Sequence, residues 1–215
     1  MSLELILGPM FAGKTSALQS IIRRHEALGL KYVAFKPQID SRYGCSEFIF
    51  SHDMTKVAAN SATFLLPQVN STVYSVATLV VIEEGQFFND LHAFVLKAVE
   101  VDGKHVVVAG LDGDRFRQPF GQLLSLVPLA DKITKITALC KICGKGGKAI
   151  PGLFTYGTFH SNKTVRVGGS EMYMPVCREH YLELIYRQQQ GPPDGSATTQ
   201  EPSGDHPINC LLQQK

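Results

Sequence analysis

The sequence contains no apolar run near the roughly 20 residues that a membrane-spanning helix needs. It also lacks a strong excess of either charge, because 21 Lys and Arg residues against 19 Asp and Glu residues leave a net charge of +2. No basic, aromatic-rich stripe interrupts this balance, so we expect neither a membrane nor a nucleic acid as partner. The sequence shows no internal repeat.

The amino terminus has little of what a secretory signal requires. The apolar stretch from Leu3 to Leu7 is short, and Glu4 interrupts it. A glycine-containing motif follows directly at Gly8 and leaves no room for a longer apolar region. We therefore expect a cytoplasmic protein, in which the five cysteines do not form disulfides.

Residues 8–15 read Gly-Pro-Met-Phe-Ala-Gly-Lys-Thr, the pattern of a phosphate-binding loop. The motif stands between an apolar, strand-like stretch and a segment with apolar residues at helical spacing. Gly8 and Gly13 would let the backbone approach phosphate, while loop N–H groups and the helix N-terminus bind it. We expect Lys14 to reach the β- and γ-phosphates and the Thr15 hydroxyl to ligate Mg²⁺. The alternative is a glycine-rich turn with a surface lysine.

A second pattern lies further along, where the β-prone residues 78–82 end in Glu83 and Glu84. A carboxylate at such a strand tip, downstream of a phosphate loop, can hold Mg²⁺ directly or through water. Because alternate strand residues point to opposite sides, one acid can face the metal while the other acts as general base toward an acceptor. The alternative is that one of them is a solvated strand cap.

Other polar and aromatic residues follow predicted strands. Asp40 and Arg42 come after the second strand, where they could touch Mg²⁺ or phosphate, or form a solvated pair. Phe116 and Phe120, after a later buried strand, could wall a pocket for a base or belong to the core. The patterns predict strands at 31–36, 56–59, 104–110, 132–139, 153–156 and 164–167, a helix at 89–99 capped by Asn89 or Asp90, and a helix at 181–187.

Two cysteine-containing pairs predict a metal site. Cys140 and Cys143 form a Cys-x₂-Cys pair, and Cys177 and His180 form a Cys-x₂-His pair. Three thiolates and one imidazole complete a zinc coordination shell, and no position stays open for catalysis. We therefore expect a structural Zn²⁺ that clamps the base of a long loop. The alternative is that His180 is a surface histidine near three cysteines.

Five motifs follow one another along the chain: GPMFAGKT, KPQIDSRY, EEGQFF, GLDGDRFRQPFG and CKIC…VGG…Y…VCREH. With these motifs in this order, the chain resembles the type II thymidine kinase family from residue 3 to about residue 182. The resemblance implies an α/β fold, with a RecA-like P-loop core around a central, mostly parallel sheet and a small zinc-binding β-ribbon or lasso domain. We accordingly expect a core at 1–139, a zinc domain with a substrate-covering loop at 140–187, and a disordered tail at 188–215, which contains Cys210.

The implied activity is transfer of the γ-phosphoryl group from ATP, with Mg²⁺, to the 5′-hydroxyl of thymidine, giving dTMP in pyrimidine deoxynucleotide salvage. The resemblance also implies a homotetramer that dTTP inhibits. Discrimination by the 5-methyl group alone amounts to about 1–3 kcal/mol, so deoxyuridine is expected as a second substrate.

Residue roles follow from the same motifs. Glu84 matches the general base, and Glu83 matches a metal-binding position that is usually Asp. The expected ATP- and phosphate-binding residues are Gly8, Pro9, Met10, Phe11, Ala12, Gly13, Lys14, Thr15, Asp40 and Arg42. The expected thymidine-binding residues are Met10, Phe87, Leu111, Phe120, Thr155, Thr164, Arg166 and Tyr173.

The chain departs from the family pattern at several points. Arg115 stands where the first phenylalanine of the GLDG…PFG loop is usual, and Phe116 follows it, so no aromatic wall is assigned there. The segment between Cys143 and Phe154 is longer than usual. His180 replaces the fourth cysteine of the animal enzymes, and histidine is a competent zinc ligand.

Two other classes of function share some of these motifs. A nucleic-acid-dependent ATPase with a zinc ribbon also uses a RecA-like core, but the modest net charge counts against it. A regulatory nucleotide-binding switch needs no general base, and the adjacent acids after the strand count against that class.

Overall fold

Parallel strands form the centre of the molecule. The structure is a computed structural model, and it describes residues 1–39, 48–50, 55–159 and 168–189. Within these residues the strands are, in chain order, β1 (Ser2–Leu7), β2 (Tyr32–Pro37), β3 (Phe48–Phe50), β4 (Lys56–Ala58), β5 (Asn60–Ala62), β6 (Leu79–Ile82), β7 (His105–Gly110), β8 (Lys132–Lys135), β9 (Ala138–Leu139), β10 (Pro151–Gly152), β11 (Phe154–Gly157) and β12 (Tyr173–Val176). The α-helices of the same residues are α1 (Lys14–Ala27), α2 (Thr72–Val76), α3 (Leu91–Leu96), α4 (Lys141–Lys145) and α5 (Arg178–Gln189). Short 3₁₀ helices lie at Leu66–Asn70, Gly85–Phe87 and Leu123–Leu129.

The central sheet has six strands in the order β5-β2-β6-β7-β1-β8, and every neighbouring pair is parallel. Leu5 of β1, for example, lies opposite Val108 of β7 on one side and Ile133 of β8 on the other. Because the strands run the same way, their carboxyl ends lie along one edge of the sheet, where ligands bind in open α/β folds. The predicted α/β fold with a central parallel sheet is confirmed.

Both faces of this sheet are covered, and the strand sequence alternates between them. Leu79 and Val81 of β6 belong to one apolar cluster, whereas Val80 and Ile82 belong to the other. All four side chains are fully buried. A strand buried on both faces is expected to be a continuous run of apolar residues, which is how β6 and β7 appear in the sequence.

Helix α1 covers one face of the sheet through residues at helical spacing. Leu18, Ile21 and Ile22 are buried in the same cluster as Val81. The helix ends just before Gly29, whose φ of 68° is a left-handed conformation that glycine adopts readily. This packing fixes the N-terminus of α1 at the carboxyl edge of the sheet.

Three predicted elements differ from those in the structure. The single strand predicted at 132–139 is two short strands, β8 and β9, because β1 ends at Leu7 opposite Lys135 and offers β8 no further partner. The chain then turns away, and β9 pairs with β10 instead. The last helix begins at Arg178, three residues before the predicted start at Tyr181.

The predicted helix at 89–99 is also divided, into α3 and a π-helical turn at Lys97–Val101. Asp90 occupies the position before α3 but does not cap it with its side chain. Its carboxylate instead accepts hydrogen bonds of 2.8 Å from the backbone N–H groups of Leu65 and Leu66. The side chain predicted as a local cap thus ties two distant segments together.

Beyond the central sheet, two antiparallel pairs, β9–β10 and β11–β12, form a smaller unit. Its apolar centre consists of Cys140, Tyr156, Val176, Cys177 and Tyr181. The strand predicted at 164–167 and the tail from residue 190 lie outside the described residues, and the division into domains stays a prediction. In the part of the chain that the structure describes, no helix is both long and apolar enough to cross a membrane.

Candidate active site

The phosphate-binding motif lies where β1 ends and α1 begins, and glycine is needed at both of its ends. Gly13, just before α1, has φ 85° and ψ 19°, a left-handed conformation that would strain another residue. Gly8 runs so close to the chain beyond β8 that a Cβ atom on it would lie 2.3 Å from the Ile136 carbonyl oxygen. One glycine is therefore required for conformation, and the other mainly for space.

Lys14 extends back across its own loop. Its side chain is only 7% exposed, and Nζ donates a hydrogen bond of 2.7 Å to the Pro9 carbonyl oxygen. The ammonium group thus lies beside the N-terminus of α1, whose first turn carries no acidic side chain. Backbone N–H groups, the helix dipole and a cation together make this loop a favourable place for phosphate.

Thr15 and Glu83, the two residues predicted to ligate Mg²⁺, are in direct contact. Thr15 Oγ1, in the first turn of α1, donates a hydrogen bond of 2.6 Å to Glu83 Oε1, directly after β6. Glu83 is 5% exposed. A hydroxyl and a carboxylate oxygen beside a phosphate loop are ligands of the type that Mg²⁺ prefers, so this donor set fits the ion.

Glu84 has a different environment from its neighbour. It is also buried, and its backbone has φ 51° and ψ 47°, a left-handed conformation uncommon outside glycine. Its Oε2 accepts a hydrogen bond of 2.6 Å from Gln86 Nε2. The two adjacent acids therefore have different partners, Thr15 for Glu83 and Gln86 for Glu84.

Several of the residues predicted to bind thymidine contact one another. The rings of Phe87 and Phe120 meet edge to face, with centroids 5.3 Å apart. The Met10 backbone N–H donates a hydrogen bond of 3.0 Å to Thr155 Oγ1, which links the phosphate loop to β11. The two phenylalanines are 33 positions apart in the sequence, and Met10 and Thr155 are 145 positions apart, so the fold brings distant residues into contact.

The other predicted thymidine contacts have separate neighbours. Leu111 is buried, and its backbone N–H donates to Gln86 Oε1 at 3.0 Å. Tyr173, at the start of β12, is buried and packs edge to face against Phe159. Four predicted site residues lie outside the described residues, so their positions stay predictions: Asp40, Arg42, Thr164 and Arg166.

Arg115, where the family pattern has phenylalanine, is buried between two rings. Its guanidinium carbon lies 4.5 Å from the centroid of Phe116 and 4.6 Å from that of Phe159, and Nη1 donates to the Phe159 carbonyl oxygen. Its own carbonyl oxygen accepts a hydrogen bond from the Tyr181 hydroxyl. Phe116 itself is 38% exposed. This loop is therefore held to the smaller unit by a cation and hydrogen bonds rather than by an inserted phenylalanine.

The four predicted zinc ligands form one cluster, whose ligand atoms all lie within 4.8 Å of one another. His180 Nδ1 is 3.5, 3.4 and 3.2 Å from the sulfur atoms of Cys140, Cys143 and Cys177. A tetrahedral site with Zn–S bonds of about 2.3 Å places its ligand atoms about 3.6–3.8 Å apart. The cluster fits zinc in both geometry and donor type, and it includes His180.

The electrostatics of the cysteines also favour a cation. Burial raises the pKa of the Cys140 thiol, but hydrogen bonds from the backbone of Cys143, Cys177 and Ile142 outweigh that effect and bring the pKa down to about 6. Burial and the neighbouring Cys140 and Cys177 sulfur atoms raise the pKa of Cys143 to about 11. Because adjacent thiolates repel one another, a bound divalent cation would allow all three to ionise.

Gln86 also contacts this site, although no motif in the sequence assigns a role to it. It is a polar residue inside the EEGQFF motif, and it is 2% exposed. One partner, Glu84, is close in sequence, but the other, Leu111, is 25 residues away. The position of Gln86 between two acids and two phenylalanines could have indicated a role in the site. The hydrogen bond from Leu111 could not have been predicted, because it depends on the tertiary structure.

Known proteins are similar in sequence to this chain over most of its length. The family model described as thymidine kinase matches residues 1–181. Thymidine kinase from rice (Oryza sativa subsp. japonica) is 42% identical over 189 residues, which cover 84% of this chain and 66% of the relative. Thymidine kinase a from Arabidopsis thaliana is 36% identical and 75% covered, and thymidine kinase from vaccinia virus (strain Western Reserve) is 36% identical and 97% covered, each over 84% of this chain. This chain spans about two thirds of the length of the rice relative. With a phosphate loop, a strand-tip acid pair and a Cys₃His cluster in the expected places, the chain belongs to the thymidine kinase family.

Proposed function

We propose that this protein transfers the γ-phosphoryl group of ATP to the 5′-hydroxyl of thymidine, giving dTMP and ADP. Family membership supports thymidine as the acceptor. The observation that carries the proposal is the arrangement beside the phosphate loop, where Glu83 contacts Thr15 and the adjacent Glu84 is buried with a different partner. A site of this kind has a place for the nucleotide and a separate base for the acceptor.

On the donor side, residues 8–15 bind the ATP phosphates. Backbone N–H groups of the loop and the N-terminus of α1 hold the phosphate oxygens, and Lys14 neutralises charge near the β- and γ-phosphates. Thr15 and Glu83 would hold Mg²⁺, which when bound would offset charge on the transferring group. Asp40 and Arg42 are predicted to add polar contacts on the same side.

On the acceptor side, Glu84 acts as the general base. Its carboxylate takes the proton of the 5′-hydroxyl as the new oxygen–phosphorus bond forms and the bond to the β-phosphate oxygen breaks, releasing ADP. Burial of both carboxylates restricts water, which would otherwise compete as phosphoryl acceptor. Most of the rate enhancement comes from positioning and electrostatics rather than from covalent chemistry.

Thymidine lies between the phosphate loop and the β11–β12 hairpin in this proposal. Met10 and Thr155, which join those two segments, border the base, together with the edge-to-face pair Phe87 and Phe120. Leu111, Tyr173, Thr164 and Arg166 complete the predicted contacts. Because a pocket gains only about 1–3 kcal/mol from a methyl group, deoxyuridine is expected to react more slowly than thymidine but measurably.

The Cys₃His cluster holds a structural Zn²⁺ in this proposal, with Cys140, Cys143, Cys177 and His180 as its ligands. The zinc would fix the ends of the segment that carries the hairpin and takes no part in the chemistry, because four protein ligands fill its coordination shell. The family resemblance further predicts a homotetramer, feedback inhibition by dTTP and a cytoplasmic location.

The test of the general base is Glu84→Gln, which keeps the size of the side chain and an oxygen to accept from Gln86. We expect kcat for thymidine-dependent ADP formation to fall by roughly 10²-fold or more, the scale of general base catalysis, with ATP binding unchanged. Glu100→Gln, at an exposed position on the π-helical turn, is the matched control and should retain full activity. Near-normal turnover by Glu84→Gln would remove Glu84 from this role.

The same assay separates the proposal from its rivals. ADP formation by the wild-type protein is measured with thymidine, with single-stranded DNA and with neither. Stimulation by thymidine and the appearance of dTMP support the kinase. Stimulation by DNA alone would identify a nucleic-acid-dependent ATPase, and no stimulation by either would favour a nucleotide-binding switch.

A further inference from the structure

Gln86 is held in one orientation by two hydrogen bonds. Its Oε1 accepts from the Leu111 backbone N–H at 3.0 Å, and its Nε2 donates to Glu84 Oε2 at 2.6 Å. Because a backbone N–H can only donate, the amide oxygen must face Leu111, and the amide nitrogen must then face the carboxylate. The side chain therefore connects the turn after β6 to the chain after β7.

Two glycines show how closely the surrounding backbone encloses Gln86. A Cβ atom on Gly110 would lie 2.3 Å from Gln86 Oε1. A Cβ atom on Gly121, where φ is 58°, would lie 2.1 Å from the Gln86 carbonyl oxygen. With only 2% of its surface exposed, Gln86 has little room to adopt another position without moving these segments.

The residue that Gln86 contacts needs support. Glu84 has a left-handed backbone conformation, which is strained in a residue other than glycine and persists only where surrounding contacts impose it. A charge-assisted hydrogen bond from a fixed amide is such a contact. We propose that Gln86 is a positioning residue that orients the Glu84 carboxylate toward the acceptor hydroxyl, an inference that rests on the function proposed above.

The experiment compares Gln86→Met, which keeps the length of the side chain but removes both hydrogen bonds, with Gln19→Met. Gln19 is the matched control because it is another buried glutamine, and it bonds to Ile49 and Thr55 away from the acids. Both variants should lose stability, measured by thermal unfolding. Only Gln86→Met should lose kcat, by roughly 10–10²-fold, since a misplaced catalytic group costs up to about 10²-fold. Its KM for ATP should remain within about threefold of the wild-type value.

A double-mutant cycle tests whether Gln86 acts through Glu84. In the Glu84→Ala background, measured at high enzyme concentration, Gln86→Met should change kcat by less than about twofold, because no carboxylate remains to be oriented. An equal loss of kcat in both backgrounds would show that Gln86 does not act through the Glu84 carboxylate, and a normal kcat in the single variant would show that it has no positioning role.

Two further results complete the test. If Gln86→Met does not fold, Gln86→Asn replaces it in the same cycle, because it keeps the amide but is too short to reach both partners. If the wild-type protein forms no dTMP, the proposed function fails, whereas a wild-type protein that forms dTMP beside an equally active Gln86→Met variant removes only the positioning role.

Discussion

The hydrogen bond between Met10 and Thr155 gives a quantitative prediction, because it joins the phosphate loop to the β11–β12 hairpin. Replacing Thr155 by valine keeps the branched shape of the side chain and removes the acceptor of the Met10 N–H. A buried donor without a partner costs about 1–3 kcal/mol. Thr155 is 5% exposed while Met10 is half-buried, so we expect about 1–2 kcal/mol, in the lower part of that range.

This loss should appear in two measurements. Thermal unfolding of Thr155→Val should shift down by about 2–8 °C, since 1 kcal/mol corresponds to about 2–4 °C in a chain of this size. Because the bond holds together the two segments proposed to enclose the base, kcat/KM for thymidine should fall by about 5–30-fold, the equivalent of 1–2 kcal/mol. The KM for ATP should change by less than about twofold, because the phosphate contacts of the loop are retained.

Two controls identify the hydroxyl as the cause. Thr155→Ser keeps the acceptor and should recover most of the lost kcat/KM. Thr63→Val removes an exposed hydrogen bond to Gln38 and should leave both measurements close to wild type. A Thr155→Val variant with unchanged unfolding temperature and thymidine kinetics would refute the coupling between loop and hairpin.

Two further predictions concern the zinc cluster and the phosphate loop. Cys177→Ser and His180→Ala should each lose bound zinc, measured per protein chain by metal analysis after dialysis, and a full equivalent of zinc in the His180 variant would remove it from the ligand set. Gly8→Ala should raise the KM for ATP at least tenfold, because a Cβ atom 2.3 Å from the Ile136 carbonyl oxygen forces the loop to move. In Gly13→Ala the new methyl group has open space around it, and the substitution introduces only backbone strain. A KM for ATP as high in this variant as in Gly8→Ala would contradict the steric argument.

The contacts that could be anticipated from the sequence depend on chemistry contained in short segments. The contact between Thr15 and Glu83 follows from a helix and a strand that meet at the carboxyl edge of a parallel sheet, once both motifs are placed on their elements. The zinc cluster follows from ligand chemistry, since few other roles require two such pairs. Each motif is recognisable from a short segment, and the general geometry of α/β sheets and zinc sites places the residues of the separate motifs close together in space.

The parts that could not be predicted depend on where distant segments meet. The hydrogen bond from Leu111 to Gln86 requires the tips of β6 and β7 to lie side by side at a particular register. Asp90 has the sequence pattern of a helix cap, yet its carboxylate accepts hydrogen bonds from the backbone N–H groups of Leu65 and Leu66, which are 25 and 24 residues away in the sequence. The stacking of Arg115 on Phe159 likewise depends on docking between the core and the smaller unit. Tertiary contacts compete with local preferences in each case.

The order of strands also determines when the phosphate loop can form as the chain leaves the ribosome. β1 is made first, but its neighbours in the sheet, β7 and β8, begin more than a hundred residues later. Until Ile136 has been made, the backbone that encloses Gly8 does not exist. Ile136 follows Gly8 by 128 residues, so at about 5–20 residues per second that interval lasts roughly 6 to 26 s. Until β7 has been made as far as Gly110, the apolar residues of β1 have no partner in the sheet, so chaperones that bind exposed apolar segments have a defined period in which to act on this chain.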